Sequence, residues 1–376
     1  MKIGYVIDDT LDTGDGVQQY VLLIGEWMKK NGHEVHYITG SSNRTDIDNL
    51  HSMSKNVRVK FNKNYLTIPY KHDKKKLNSI DDSYDVLHVQ MPFSPLLAGR
   101  VINVASNTTA VVGTFHIAPY DKFVSLSNRA LSLITKKSLD RFDKVIAVSD
   151  VAKDFAKKTF NINASVVPNA IEASAWGNNK DNIRNIDLLF LGRLVERKGC
   201  KLFLEAVNYL SNKQDLSNIK VTVAGDGPLR HQLEEYVKIK KMDKIVEFVG
   251  YVSEDQKKEL LASSKISIFP STGGESFGIV LLEAMASGSL AIGGNNPGYS
   301  YVLKDAEQSL VKTTPEAIAS KIDELLNDQV SFSELLNMQK MLVKKFDVKI
   351  VGDDILSMYK HAIKYRKEKN EQKRIN

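Results

Sequence analysis

The sequence predicts an α/β protein built from two doubly wound parallel-sheet units. Three observations carry that expectation. Short, continuous apolar runs alternate with amphipathic stretches almost throughout, the pattern of strands covered on both faces and joined by helices. The series restarts near residue 187, after the polar, Asn-rich stretch NAIEASAWGNNKDNIRNI (169–186). The length of 376 residues suits two domains of roughly 150 residues or somewhat more.

The first set of strands is KIGYVI (2–7), EVHYI (34–38), VRVKF (57–61), DVLHV (85–89), AVVGTF (110–115), KVIAV (144–148) and ASVVP (164–168). The second is DLLFLG (187–192), IKVTVAG (219–225), IVEFVG (245–250), KISIFP (265–270) and SLAIG (289–293). Helical periodicity falls between them, near 17–30, 94–105, 122–141, 150–158, 199–211, 228–240, 253–262, 277–286 and 315–327. The boundary is placed at Pro168–Glu172, giving domains 1–168 and 169–348. A last helix is expected at 349–368, ending in a frayed tail, RKEKNEQKRIN.

Composition removes several classes. With 42% apolar and 26% charged residues the chain is globular rather than disordered. Its single cysteine, Cys200, excludes an internal disulfide and reads as a small buried hydrophobe. The run after Met1 is cut by Asp8 and Asp9, too short for a signal peptide. The longest apolar stretch, around Glu283, is too interrupted to span a bilayer. The expected location is cytoplasmic, or peripheral on the cytosolic face of a membrane. The net charge of +7 is uneven. Residues 1–170 carry 22 Lys+Arg against 17 Asp+Glu, and the tail 360–376 carries seven against two. An anionic partner and simple solubility both fit that surplus.

Three segments point to chemistry. In GYVIDDTLDTGDGVQQY, Gly14 and Gly16 turn the chain between the first strand and first helix, whose free amides make an anion site. An ordinary glycine turn fits equally. In FLGRLVERKG (190–199), Arg193, Arg197 and Lys198 cluster at a strand's carboxyl end, where open α/β sheets bind ligands. In STGGESFGIVLLEAMASG (271–288), Phe277, Gly278 and Ile279 offer helix N-terminal amides. Glu275 and Glu283 are eight residues apart there, a little over two helical turns, so both carboxylates can face one site. An acid within IVLLEAMA is costly unless paired.

These last two segments resemble the retaining family-four glycosyltransferases of the GT-B fold, whose second domain carries an Arg/Lys pair followed by two spaced glutamates. Further matches are GVQ (16–18), DVLH (85–88), TFH (114–116), IAVSD (146–150), VPNAIE (167–172) and AGDGPLR (224–230). The phosphatidylinositol mannosyltransferases are the most similar subgroup. The resemblance implies two Rossmann-like domains facing a central cleft, with the last helix packing back on the first. It implies a nucleotide-sugar donor, GDP-mannose or a UDP-hexose, with no further cofactor and no metal. Arg193 and Lys198 would neutralise the donor diphosphate. Glu275 would hold the transferred sugar, Glu283 the ribose, and Gly16 would let a loop approach the phosphates. His116 would sit beside the reacting sugar and Gln18 would position the acceptor. The implied reaction moves mannose or glucose to a membrane lipid headgroup such as phosphatidylinositol. A soluble sugar or other small acceptor, or glucosyl transfer to diacylglycerol, is the alternative.

The chain departs from that subgroup at Asp15, where a glycine is usual, and at Val89-Gln90-Met91-Pro92-Phe93, where a His-Glu-Pro-Asn-like stretch is usual. In IPYKHDKKKLNSI (68–80), Tyr70, Lys74, Lys75 and Lys76 lie where the resembling enzymes dock a basic amphipathic helix on anionic lipid. Read from residues alone, the run serves equally as a solvated lysine face. Nucleic acid is not an expected partner, because no binding motif occurs. Asp46 and Asp48, Asp8 and Asp9, and Asp353 and Asp354 read as solvated or capping acids.

Overall fold

The computed structural model describes residues 1–12, 14–61, 64–78, 80, 84–117, 135–177 and 184–375. The chain divides into two units, Met1–Ala170 with Val348–Asn376, and Ile171–Asp347. Both are α/β, each built on one all-parallel sheet.

The first sheet has seven strands in the order β3-β2-β1-β6-β7-β8-β9. They are β1 (Lys2–Ile7), β2 (Glu34–Thr39), β3 (Leu50–Ser52), β6 (Val86–Gln90), β7 (Ala110–Phe115), β8 (Lys144–Ala147) and β9 (Ser165–Val166). The second has six, β12-β11-β10-β13-β14-β15: β10 (Ile186–Leu191), β11 (Val221–Ala224), β12 (Val246–Gly250), β13 (Ser264–Phe269), β14 (Leu290–Gly294) and β15 (Leu310–Val311). Strand order reverses beside β1 in the first sheet and beside β10 in the second. At such switch points the loops at the carboxyl ends diverge and leave a crevice.

The helices of the first unit are α1 (Gly16–Lys30), α2 (Lys74–Asn78), α3 (Leu97–Val104), the described part of α4 (135–139) and α5 (Asp150–Phe160). Those of the second are α6 (Cys200–Ser211), α7 (Arg230–Ile239), α8 (Glu254–Ala262), α9 (Ile279–Ala286), α10 (Pro297–Val302), α11 (Pro315–Asn327) and α12 (Gln329–Leu342). Most of the helix expected at 122–141 lies outside the described residues. Cys200 is buried. No described helix is long and apolar enough to cross a membrane.

Two expectations are corrected. VRVKF (57–61) is not a strand of the main sheet. It belongs to β4 (Ser54–Phe61), which pairs antiparallel with β5 (Asn64–His72) in a separate hairpin. The tail after 368 is not frayed. The last helix, α13, runs from Val348 to Ile375, through a tail of good helix formers whose Lys373 and Arg374 suit the negative end of the helix dipole.

This helix completes the first unit. Val351, Ile355, Tyr359 and Ala362 join Ile3, Tyr5, Ile24 and Val112 in one core. Gly352 lies against the Trp27 ring, where an added Cβ would come within 2.5 Å of Cδ2. The Tyr359 hydroxyl donates to the Tyr5 hydroxyl at 3.1 Å and lies 2.6 Å from His88 Nδ1. Near its end Arg366 donates from Nε to Asp143 at 3.0 Å and from Nη2 to the Arg141 carbonyl at 2.9 Å, with both Arg366 and Asp143 buried.

Arg366→Leu leaves the buried Asp143 carboxylate short of its main partner. The unfolding free energy of the first unit should fall by on the order of 3 kcal/mol, read as a lower urea midpoint, while the exposed Ile375→Ser leaves the midpoint unchanged.

Candidate active site

The second unit brings its candidate residues together at the switch point. β10 and β13 are hydrogen-bonded neighbours, with Leu188 opposite Ile266, so the loops that follow them leave the same edge side by side. Gly199 has φ +75°, and a Cβ there would lie 2.2 Å from the Pro270 carbonyl oxygen. The loops therefore meet backbone to backbone. The Arg197 carbonyl accepts from the Ser271 hydroxyl and the Thr272 amide, both at 2.9 Å.

This contact brings three side chains to one oxygen. Glu275 Oε1 lies 2.8 Å from Arg197 Nη1, 2.8 Å from Lys198 Nζ and 2.9 Å from Ser271 Oγ. Burial pushes the Glu275 carboxyl up, but Lys198 and Arg197 outweigh it and hold it below its ordinary range, so it is ionised. Burial pulls the Lys198 ammonium down. Glu275 opposes that, while Arg197 and Arg193 add to it. Arg193 is exposed on the same loop. Two cations thus share one carboxylate and Arg193 lies on the same loop, a surplus of positive charge that suits a dianionic group.

Beside them α9 begins. Gly278 is its N-cap at φ +117°, where a Cβ would strike the Tyr299 ring at 2.5 Å. The amides of Phe277, Gly278 and Ile279 find no acceptor among the described residues. The Phe277 side chain is buried against Tyr301 and Phe346, with ring centroids 5.9 and 5.7 Å away. It offers only its main chain. One turn into α9, Glu283 is 3% exposed and takes a 2.7 Å bond from Lys257 Nζ of α8. Glu254 also pairs with Lys257, at 2.8 Å, and the Trp176 ring covers it at 5.2 Å. Burial pushes the Glu283 carboxyl above its ordinary value against the pull of Lys257. Burial lowers the Lys257 ammonium, but Glu283 and Glu254 more than offset this and it ends up raised. Sequence reasoning found the buried acid and missed its partner. The signal was a second misplaced charge, Lys257 beside Leu261 on the inward face of α8.

In the first unit the corresponding residues follow β1, β6 and β7. Gly16 opens α1, and Asp15 is its N-cap. Gln18 is buried and its Oε1 accepts from the Asp15 amide at 2.8 Å, so this side chain closes the helix start. Asp8 also caps: its Oδ1 accepts from the Ala98 amide of α3 at 2.6 Å. His116 is 7% exposed, and its Nε2 lies 2.7 Å from Gln90 Oε1. The edge of Tyr20 packs on it at 5.0 Å. Burial holds the ring's pKa down to about 3, so it is neutral. Phe93 is buried among Phe115, Phe155 and Phe160.

The basic segment 68–80 is not one amphipathic helix. Tyr70 lies in the hairpin strand β5 and is 58% exposed. Asp73 then caps a short helix, accepting from the Lys75 amide at 2.9 Å. Lys74, Lys75 and Lys76 fall in this five-residue α2. Lys75 and Lys76 are exposed, and Lys76 donates to the Ser52 carbonyl at 3.1 Å. The aromatic and β-branched run Tyr65–Tyr70 favours a strand over a helix. Residues 79 and 81–83 of the neighbourhood lie outside the described set. Asp46 is paired by Arg44 at 2.6 Å. Among the described residues no group of three His, Cys, Asp or Glu side chains could hold a metal ion.

The Glu283 carboxyl has a higher pKa folded than unfolded. The folded state keeps a proton that the unfolded chain releases, so this group's contribution to stability falls as pH rises above its unfolded pKa. Lys257→Met raises the folded pKa further. Its loss of stability should be larger at about pH 8 than at about pH 5, measured by urea unfolding at both.

Comparison with known proteins places these two units. Residues 14–175 match the model Glycosyltransferase Family 4, and residues 175–345 match Glycosyl transferases group 1. A phosphatidyl-myo-inositol mannosyltransferase of Mycobacterium tuberculosis is 27% identical over 96% of each chain. One from Propionibacterium freudenreichii is 28% identical over 96% of this chain and 94% of that protein. Among solved structures, a glycosyltransferase from Rickettsia africae has a TM-score of 0.73 at 17% identity, covering 96% of this chain and 98% of that one. A pneumococcal O-GlcNAc transferase, solved with UDP and GlcNAc, has a TM-score of 0.72 at 12% identity, covering 96% and 99%. The paired family models, matched in order along nearly the whole chain, and the two parallel-sheet units make this protein a family-four glycosyltransferase of the GT-B fold.

Proposed function

We propose that the protein is a retaining hexosyltransferase that moves mannose or glucose from a nucleotide-sugar to a membrane lipid headgroup. The observation that carries the donor half is the convergence of Arg197, Lys198 and the free amides of α9 around Glu275. Such a site suits a diphosphate whose charge grows as the glycosidic bond breaks. Arg193 and Lys198 neutralise that leaving group. Glu275, ionised and acceptor-only, has Oε1 committed to its neighbours. Oε2 is left to take hydroxyl protons of the transferred sugar. Glu283 takes the ribose hydroxyls in the same way. With Glu275 bound to two cations, it is a poor nucleophile. Retention then rests on positioning and on stabilising the departing phosphate, on whose side the acceptor attacks.

Two printed relatives separate the acceptor classes. The mycobacterial and propionibacterial relatives given above are named for mannosyl transfer to phosphatidyl-myo-inositol. A 2-deoxystreptamine N-acetyl-D-glucosaminyltransferase of Niallia circulans, 26% identical over 75% of this chain, is named for a soluble acceptor. Exposed Tyr70, Lys75 and Lys76 on the first unit favour the lipid. The donor is GDP-mannose or a UDP-hexose, and the location is the cytosolic face of a membrane.

Glu275→Ala and Lys198→Ala should each lower transfer to phosphatidylinositol by about a hundredfold or more in a radiolabelled-sugar assay, with circular dichroism unchanged. Full turnover in either variant would remove the site assignment. The protein should sediment with liposomes containing phosphatidylinositol and less so as salt is raised, since surface charge is screened within about 10 Å at 0.1 M. Replacing Lys74, Lys75 and Lys76 by alanine should weaken this binding. Equal sedimentation with neutral vesicles would instead support a soluble acceptor.

A further inference from the structure

Two histidines lie side by side in the first unit, and the structure gives them different fates. His88 is fully buried with both nitrogens engaged. Nδ1 lies 2.6 Å from the Tyr359 hydroxyl and Nε2 lies 2.5 Å from Thr114 Oγ1. It ties α13 to the sheet. His116 uses only Nε2, toward Gln90 Oε1 at 2.7 Å, and Nδ1 has no partner among the described residues.

Gln90 is the last residue of β6, in register with Thr114 of β7, and His116 follows the end of β7 directly. Gln90 is 1% exposed, and its own Nε2 is buried without a partner among the described residues. A side chain kept there only for packing would carry no such orphaned donor, since an unpaired buried amide is destabilising. What the amide supplies is its carbonyl oxygen. A carboxamide oxygen accepts a hydrogen bond and carries no charge, so it holds a neutral imidazole without drawing it toward imidazolium.

We infer that Gln90 is a positioning residue for His116: its Oε1 accepts the Nε2 proton, fixes the neutral ring in the Nε2–H form and leaves Nδ1 as a hydrogen-bond acceptor for a hydroxyl of the reacting sugars. This rests on the proposed function in placing those sugars at His116. Among the described residues the other ionisable groups facing the ring are Tyr20 of α1 and His88 of β6. Burial keeps both neutral, pushing the Tyr20 hydroxyl up and His88 down to about 3. Tyr20 therefore supplies no charge, and the identity of residue 90 decides the state of His116.

The test uses the full chain labelled with ¹⁵N. Long-range ¹H–¹⁵N spectra of the histidine rings read the tautomer directly, with no substrate present. Wild type should show His116 as Nε2–H, without titration in the neutral range. Gln90→Leu should lose that single tautomer and lower kcat for transfer from GDP-mannose or UDP-glucose to phosphatidylinositol by about tenfold or more, at every pH, with KM for the donor little changed. Gln90→Glu keeps an acceptor at Oε1 but adds a charge. It should retain the Nε2–H form and near wild-type kcat at high pH, and lose activity through a new acid limb as the imidazolium forms. A merely structural role predicts parallel losses in both variants with no new limb.

An Nδ1–H ring in the wild type, or an unchanged tautomer and kcat in Gln90→Leu, would overturn the inference. His116→Ala separates it from the proposed function. Full transfer by that variant removes His116 from the reaction while the spectra still report what Gln90 does to the ring. If His116→Ala is inactive and Gln90→Leu is unimpaired, the proposed function stands and this inference falls.

Discussion

Three side chains converge on one carboxylate oxygen, and much of the second unit is arranged so that they can. Arg197, Lys198 and Ser271 reach Glu275 Oε1 only because the loops after β10 and β13 touch at their backbones. That closeness needs a residue without a side chain at position 199 and strands that are sheet neighbours. The parallel order then puts both loops at the same edge, and the reversal beside β10 opens space next to them. A constraint of main-chain geometry thereby becomes a local surplus of positive charge. The chain's overall charge gives no hint of it, because this unit is the acidic part of the sequence.

Buried charges recur, and each is paired. Glu283 with Lys257, and Asp143 with Arg366, put ions where desolvation is expensive. The two pairs differ in what they leave over. Asp143 is surrounded by Arg366, Arg141 and the Val111 amide, so its charge is consumed in holding α13. Glu283 spends Oε1 on Lys257 and keeps Oε2 for other use. The first kind of pair stabilises a fold. The second kind leaves one carboxylate oxygen outside the pair.

Much of this architecture was legible in the sequence because continuous apolar runs have one good solution, a covered parallel strand. Eleven of the twelve expected strands lie in the two sheets, and Glu283 announced itself as an acid in an apolar helix. What escaped is what depends on context. VRVKF has the composition of a core strand yet pairs in a hairpin, since only its neighbour Tyr65–Tyr70 decides where it goes. The lysines 74–76 suggested a helix longer than Asp73, acting as a cap, allows. That Gln18 closes the helix start against the Asp15 amide shows only once the turn is folded. Gln90, Lys257 and Trp176 are unremarkable letters whose importance comes from partners 26 or more residues away.

The route of the chain has a consequence for how the protein is made. The second unit, Ile171–Asp347, is inserted between the two parts of the first. A ribosome emits all of the inserted unit before it emits Val351, Ile355, Tyr359 and Ala362, which the first core requires. The N-terminal 170 residues must wait, with one side of their sheet lacking its cover, while the second unit is synthesised and can fold. At about 5–20 residues per second that wait lasts on the order of ten seconds or more. The first part of the protein to be translated is thus the last to be finished, and it is the part most in need of protection during synthesis.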